Sequence, residues 1–291
     1  MPFAWIDTLR FIVLTDVYQA MQVHFQAHLY PAEVLKLPHP VNMTRQRLSA
    51  LGSGWFVTYK ADGVRYMWLR AVYMGRVFDI TINRRCEMNI IQDNPSGNME
   101  PGIYFALDCE LVGTDFTCHD VLIFDRVPVL FRAFAKRIKI LYMLRDQKDL
   151  PQPKSFYPCS QIQMVPDVGD GYIFVHCTDK FQTGKSETMI KWKPLHDISI
   201  DMLVDNQLRP MMSSAQGHIP FTDTIGNGTL ALDACKNKIV EFKYKDEAWV
   251  PIRVRDDKNT ANDAYVIKET VLSAREPILY DQLLSKCNSI A

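Results

Sequence analysis

Tyr59-Lys60-Ala61-Asp62-Gly63-Val64-Arg65 is the stretch on which the fold turns. An apolar run, Trp55-Phe56-Val57, leads into it, and a second, Tyr66-Met67-Trp68-Leu69, leads out. The pattern predicts two strands joined at a tight glycine turn that carries a lysine. Asp-Gly is also a common signal for an ordinary hairpin with surface charge. The downstream sequence decides between a plain turn and a lysine placed to react.

A lysine amine attacks phosphorus only when uncharged, and its ordinary pKa is about 10.4. A site that used Lys60 in this way would have to depress that value with nearby cations, because a like charge disfavours the protonated form. Arg65, Lys191, Lys193 and a bound metal ion could supply the charge. The same cations would stabilise a transferring phosphoryl group and a departing pyrophosphate.

Composition sets the limits. The chain has 291 residues, of which 47% are hydrophobic, enough for two domains with ordinary cores. Lys+Arg and Asp+Glu are both 33, so nucleic-acid binding would have to use local patches and not a global basic field. The seven cysteines contain no Cys-x-x-Cys pair. A structural zinc site is not expected, and the odd count points to a reducing compartment. No apolar run approaches a membrane span, and no basic region precedes the first apolar stretch, so neither a membrane anchor nor a secretory signal is expected.

Along the chain, residues 1 to 30 read as helical, with Asp16 as a cap. His24 and His28 are one turn apart, but Phe25 stands where a zincin would carry glutamate, so they read as packing or surface histidines. Leu37-Pro38-His39-Pro40-Val41 breaks the helix, and Arg45-Gln46-Arg47-Leu48 reads as a short helix. Residues 55 to 125 are β-rich. Asp108 and Glu110, two apart on one strand, share a face and would suit a metal ion or a pair of ribose hydroxyls. Phe131 to Leu150 reads as an amphipathic helix whose Arg132, Lys136, Arg137 and Lys139 form a basic face, and Pro151 to Pro158 as a linker. Lys191 and Lys193 alternate with Trp192 and so point the same way; two lysines on a buried strand call for an anion. Beyond Pro194, short strand-like pieces separated by turns suggest a small barrel, followed by a helix over 260–274.

The order Lys60-Ala61-Asp62-Gly63-Val64-Arg65 resembles the first motif of the covalent nucleotidyltransferase superfamily, which contains mRNA capping guanylyltransferases and ATP-dependent DNA and RNA ligases. The further motifs follow in order: Leu107-Asp108-Cys109-Glu110-Leu111, Asp170-Gly171-Tyr172-Ile173-Phe174, Met189-Ile190-Lys191-Trp192-Lys193-Pro194, and Arg253-Val254-Arg255-Asp256-Asp257-Lys258 with Asn262. The Lys-Trp-Lys form is similar to that of capping enzymes. Asn83 stands where the family has aspartate before an arginine, here Arg84, and Cys109 replaces the usual glycine.

The resemblance implies an α+β fold: a nucleotidyltransferase domain with antiparallel sheets and flanking helices over residues 1–196, then a small OB-fold β-barrel domain with a C-terminal helix over 197–291. It implies that Lys60 takes GMP from GTP with Mg²⁺ or Mn²⁺ and passes it to the 5′-diphosphate end of RNA. Asp62, Arg65, Lys191 and Lys193 would belong to the catalytic set. Arg84, Glu110, Phe124, Asp170 and Ile173 would hold the nucleotide, Phe124 by stacking on guanine. Asp108 and Glu110 would hold the metal. Arg255, Asp257 and Lys258 would meet the leaving phosphates only in a closed state. An RNA triphosphatase and a cap methyltransferase would come from other chains. The location would be nuclear for a cellular protein and viral or cytoplasmic otherwise. The rivals are a minimal ATP-dependent ligase, and a non-catalytic relative that binds RNA or a partner through its barrel, an idea to which Asn83 and Cys109 lend weight.

Overall fold

The computed structural model describes residues 37–84, 87–182, 184–256 and 258–290. The expected N-terminal helix, with Asp16, His24 and His28, lies outside them, as does Asp257.

The described chain is rich in antiparallel strands, with few helices. In chain order the strands are β1 (Pro38–Asn42), β2 (Trp55–Tyr59), β3 (Val64–Tyr73), β4 (Arg76–Asn83), β5 (Met88–Pro95), β6 (Gly102–Val112), β7 (Asp115–Phe124), β8 (Val127–Pro128), β9 (Gln152–Pro153), β10 (Tyr157–Pro158), β11 (Tyr172–His176), β12 (Gly184–Trp192), β13 (Ser199–Val204), β14 (Pro210–Ser214), β15 (Gly217–Pro220), β16 (Lys238–Lys245) and β17 (Ala248–Val254). Two compact units divide them. One takes the described residues up to Val41 together with 52–169 and 173–190; the other takes 42–51, 170–172 and 191 onward. The expected boundary at 196 thus falls six residues late, and two short segments from earlier in the chain belong to the second unit.

The first unit contains a sheet ordered β5-β4-β3-β6-β7-β8, with β9 added in parallel to β7, and a sheet ordered β1-β12-β11-β2-β10. The apolar runs on either side of Lys60 do form strands, but β2 and β3 belong to different sheets. The turn between them is therefore no hairpin. It is the crossing from one sheet to the other, which removes the plain-turn reading of Asp62-Gly63. Residues Phe105 to Cys109 of β6 are buried almost without interruption, because that strand is paired on both edges and covered on both faces.

The helix expected over 131–150 is shorter, Phe134–Tyr142. Its Arg137 is not on a basic face. It is fully buried, with Nε and Nη2 donating to the two oxygens of Asp120 at 2.8 Å each and Nη2 to Asp179 at 3.2 Å. A buried arginine satisfied by two carboxylates is a structural tie that amphipathic spacing does not reveal.

In the second unit, a five-stranded antiparallel sheet runs β15-β14-β13-β16-β17. Its core holds Ile200, Met202, Val240, Phe242 and Trp249. The helix Ala264–Arg275 is capped by Asp263, whose side chain accepts from the Tyr265 N–H, and buries Ile267, Thr270 and Ala274. The short helix Arg45–Ala50 also belongs here and is capped by Thr44. No helix among the described residues is long and apolar enough to cross a membrane.

Candidate functional site

Lys60 lies one residue past β2 and is half-buried; Ala61 is buried, and Asp62 is exposed. Gly63 has no left-handed φ. It is glycine because a Cβ would collide with the Leu111 carbonyl oxygen of β6. Gly169 abuts Lys60 itself, and a Cβ there would overlap the Lys60 carbonyl oxygen. The lysine backbone is thus held against a residue that has no side chain to push it away.

Arg65 sits directly opposite Glu110 across the β3–β6 pair. Its guanidinium is committed to Asp108: Nε donates to Oδ1 at 2.8 Å and Nη2 to Oδ2, while Nη1 donates to the Pro38 carbonyl. His119 adds a contact from Nε2 to Asp108 Oδ1 at 3.0 Å. With Nε2 donating, its Nδ1 is left buried and without a partner among the described residues. Burial alone would raise the Asp108 pKa, but Arg65 and His119 overcome it and hold the carboxyl well below the ordinary range. Asp108 was expected at a metal ion. A buried carboxylate already taken up by two partners makes a poor ligand, and its role here is to fix Arg65.

The other carboxylate, Glu110, is half-buried and meets Lys154 Nζ at 3.6 Å. Lys154 is only 5% exposed and lies 4.5 Å from the centre of the Tyr59 ring. Burial pushes the Lys154 pKa down, Glu110 resists, and the positive charge of Lys60 adds to the fall. Lys154 and Lys60 are therefore electrostatic neighbours. Arg84 lies in the turn after β4, and desolvation of its guanidinium, then the charge of Arg65, lower its pKa. Lys60, Arg65, Arg84 and Lys154 so form a cationic group threaded by Asp108 and Glu110. Cys109, between the two carboxylates, opposes Cys118 across the β6–β7 pair, and burial followed by contact with Cys118 drives its thiol pKa up.

Phe124 and Ile173 lie elsewhere in the first unit. Phe124 pairs with Phe105, ring centroids 5.5 Å apart and edge to face, at the other end of the strand pair. That is about 17 Å along β6 from Glu110 at the usual rise per residue. Ile173 packs on the same apolar cluster.

Five of the expected residues, Asp170, Lys191, Lys193, Arg255 and Lys258, fall in the second unit. Asp170 pairs with Lys193, just beyond the end of β12. Gly171 sits at φ +133 with the Trp192 carbonyl in the place of a Cβ. Trp192 is buried between Lys191 and Lys193, with its Nε1 donating to the Ile278 carbonyl at 2.8 Å, and both lysines are half-buried. Arg255 and Lys258 meet on one carboxylate, Asp201. Among the described residues no three histidine, cysteine or acidic side chains are grouped to hold a metal ion.

Three partners escaped the reading of the sequence: Lys154, His119 and Asp201. Each stands outside the motifs, and only the strand pairing takes it in. For Lys154 the one available signal was a lone lysine among prolines.

The family described as mRNA capping enzyme, C-terminal domain, matches residues 179–284. An mRNA-capping enzyme of Caenorhabditis elegans is 22% identical over 307 residues, covering 86% of this chain and 48% of that one. An mRNA-capping enzyme of Danio rerio is 25% identical over 299 residues, covering 86% and 46%. The chain is thus similar to mRNA capping enzymes over most of its length. It spans about half the length of the curated relatives it matches. Looser likenesses are to solved ligases. A mycobacterial DNA ligase D complexed with ATP and MES gives a TM-score of 0.45 at 14% identity, over 77% of this chain and 96% of that one. The ATP-dependent DNA ligase from bacteriophage T7 complexed with ATP gives 0.41 at 13% identity, over 84% and 88%.

Proposed function

We propose that the chain is an mRNA guanylyltransferase working through a covalent lysyl-GMP intermediate. The observation that carries this reading is Lys60 at the crossing between two sheets, in electrostatic contact with a buried second lysine and flanked by a fixed arginine. The relatives named capping enzymes turn it from nucleotidyl transfer in general toward GMP.

In the first half-reaction the uncharged Nζ of Lys60 attacks the α-phosphorus of GTP. An N–P bond forms, the bond to the bridging oxygen of the β-phosphate breaks, pyrophosphate leaves, and the proton of Nζ passes to solvent. Arg65, held by Asp108, and the half-buried Lys191 and Lys193 neutralise charge on the α-phosphate. Arg255 and Lys258 receive the leaving phosphates, Arg84 and Glu110 the ribose, and Asp170 completes the contacts, with Asp62 beside the nucleophile; Phe124 and Ile173, packed on the apolar cluster, take no part. In the second half-reaction a terminal phosphate oxygen of 5′-diphosphate RNA attacks the same phosphorus, the N–P bond breaks, and Lys60 regains its proton.

Of the two carboxylates expected to hold Mg²⁺ or Mn²⁺, Glu110 fits. It is half-buried, with the Lys154 ammonium at 3.6 Å, and magnesium is commonly bound through one or two carboxylates plus substrate phosphates. Asp108 does not fit. The metal would supply charge neutralisation on the triphosphate. We read the five-stranded sheet of the second unit as the OB-fold. RNA triphosphatase and methyltransferase activities come from other chains in this scheme, and the setting is an intracellular, reducing one, nuclear in a cell and viral or cytoplasmic otherwise.

The test is incubation with α-labelled GTP or ATP and a divalent metal, followed by a denaturing gel. Label retained from GTP and not from ATP, and lost in both Lys60→Ala and Lys60→Arg, is the expected result. The arginine variant fails because guanidinium stays protonated. Label from ATP alone would make the chain a ligase-type adenylyltransferase. No label from either would make it a non-catalytic relative.

A further inference from the structure

Acidic and basic residues balance over the whole chain, but one segment of the first unit departs from that balance. Between Arg132 and Lys148 the exposed charged side chains are Arg132, Lys136, Lys139, Arg145 and Lys148 against Asp146 alone. Elsewhere in this unit arginines are tied to carboxylates, as Arg70 is to Asp79 and Asp149. None of these basic side chains enters an ion pair among the described residues. Spacings of four and three set Arg132, Lys136 and Lys139 in a row along the outer side of the helix Phe134–Tyr142, which buries Phe134, Ile138 and Leu141 on its other side. Like charges one turn apart destabilise a helix, so the fold gains nothing from the row.

At the far end of the row the geometry is more specific. Arg145 lies over the ring of Tyr142, with its guanidinium carbon 3.9 Å from the ring centroid. Tyr142 is pinned: its hydroxyl accepts from the Phe156 N–H at 2.8 Å and donates to the Phe156 carbonyl at 3.2 Å. Arg145 Nη2 also donates to Ser155 Oγ at 3.4 Å. A flat cation is thus held on a fixed ring, and because Arg145 is exposed, the face turned away from Tyr142 is the one that meets solvent. Guanidinium planes and aromatic rings are surfaces on which unpaired RNA bases stack, while a row of cations follows the backbone. The platform is also tied to the strand that delivers Lys60. The Ser155 carbonyl accepts from Thr58 Oγ1 at 2.8 Å, and Thr58, on β2, is two residues ahead of Lys60. From Arg145 back to Arg132 the row runs about 20 Å at the helical rise, room for several nucleotides.

We propose that the surface from Arg145 back to Arg132 is a track for single-stranded RNA, the strand behind the 5′-diphosphate end. Arg145, braced on Tyr142, stacks a base, and Lys139, Lys136 and Arg132 meet successive backbone phosphates. The proposal deepens the guanylyltransferase reading above, on which it rests, by naming where the RNA substrate lies. RNA fits better than an acidic or phosphorylated peptide, which would use the row of charge and leave the platform idle. Adduct formation from GTP involves no RNA and does not need the track.

The experiment uses the full chain, the double variant Lys136→Ala with Lys139→Ala, and the single variant Arg145→Lys, with thermal melting as a check on folding. Alanine favours a helix, so the double variant is expected to melt no lower than wild type. Binding of single-stranded RNA with a 5′-hydroxyl end is measured over a salt series, which needs neither GTP nor adduct. The double variant is expected to flatten the slope of log K against log salt by about 1.4, at about 0.7 for each lost phosphate contact on a single strand. Arg145→Lys keeps the charge and loses the plane. Its slope should stay, and its affinity should fall about fivefold or more, the worth of one lost stacked base. In transfer from isolated adduct, both variants should raise KM for a long diphosphate-ended RNA and leave kcat unchanged. A diphosphate-ended dinucleotide, too short to span the row, should show the double variant within about twofold of wild type, less than the worth of one weak contact. Labelled adduct from GTP should be unchanged in both variants. An unchanged salt slope in the double variant, wild-type affinity in Arg145→Lys, or an equal rise in KM for the dinucleotide would overturn the track. So would a phosphorylated peptide that binds the wild-type chain where the RNA does not, which would give the surface to a protein partner. A wild-type chain that takes no label from GTP, yet binds RNA with the expected losses in both variants, refutes the guanylyltransferase reading and leaves the track standing.

Discussion

Asp108 shows how a single side chain can change meaning once its partners are known. In the sequence it stands two residues from Glu110, and the pair reads as a metal or ribose site. In the structure it is 1% exposed and bound to Arg65 and His119. Removing one partner of a buried ion pair leaves the other charge uncompensated, at a cost of about 3–5 kcal/mol. Asp108→Asn is therefore expected to lower stability by about that much in denaturant titration and to lose most of the GTP label as Arg65 drifts. The pH dependence has a definite sign. The folded pKa lies below the unfolded value of about 3.9, so the carboxylate contributes stability that is full above that value and is lost as pH falls through the folded pKa. Wild type should lose stability below about pH 4, and the variant should show a flatter acid limb. Lys60, Arg65 and Glu110 could be picked out beforehand because they sit in short ordered patterns. Lys154 could not. It lies in the proline-flanked stretch read as a linker, and it reaches Glu110 only because β9 pairs with β7 at Thr117 and Cys118.

At the level of elements, short apolar runs were enough to find β2, β3, β6 and β7, since a strand buried on both faces shows in its own residues. It could not say that β2 and β3 part company into separate sheets, because sheet membership depends on strands more than a hundred residues away, β11 and β12 among them. The same distance explains why Arg137 was misread: its partners Asp120 and Asp179 lie on other elements. The sheet crossing depends on glycines for space. Gly169→Ala would drive a methyl group into the Lys60 carbonyl oxygen, and overpacking of this kind costs about 1–3 kcal/mol. Adduct formation is expected to fall roughly a hundredfold, because a displacement of about 1 Å at a reacting group costs that much. A labelling time course beside a melting curve checks it; unchanged labelling would mean that Lys60 can shift without loss.

Over the whole molecule, the two units have separate apolar cores: the first has two clusters, one around Leu69 and Ile80 and one around Leu107, and the second has one around Phe242 and Trp249. Length and apolar content gave the expectation of two domains, but could not say where the chain passes from one compact unit to the other. The stretches 42–51 and 170–172 read locally as a helix and a motif, and only their packing assigns them to the second unit. Each unit also carries buried thiols of its own: Cys109, Cys118 and Cys159 in the first, Cys235 and Cys287 in the second. A thiol that is out of reach, or whose pKa burial has raised, as at Cys109 and Cys235, reacts with an alkylating reagent only when its surroundings open. The cysteines therefore act as clocks built into the chain, one set in each unit. In native buffer, mass spectrometry of alkylated peptides should give one rate for Cys109 and Cys118 and a separate one for Cys235 and Cys287. Urea at sub-denaturing concentrations should accelerate the two sets at different concentrations. A single shared rate at every concentration would mean that the chain opens as one cooperative body.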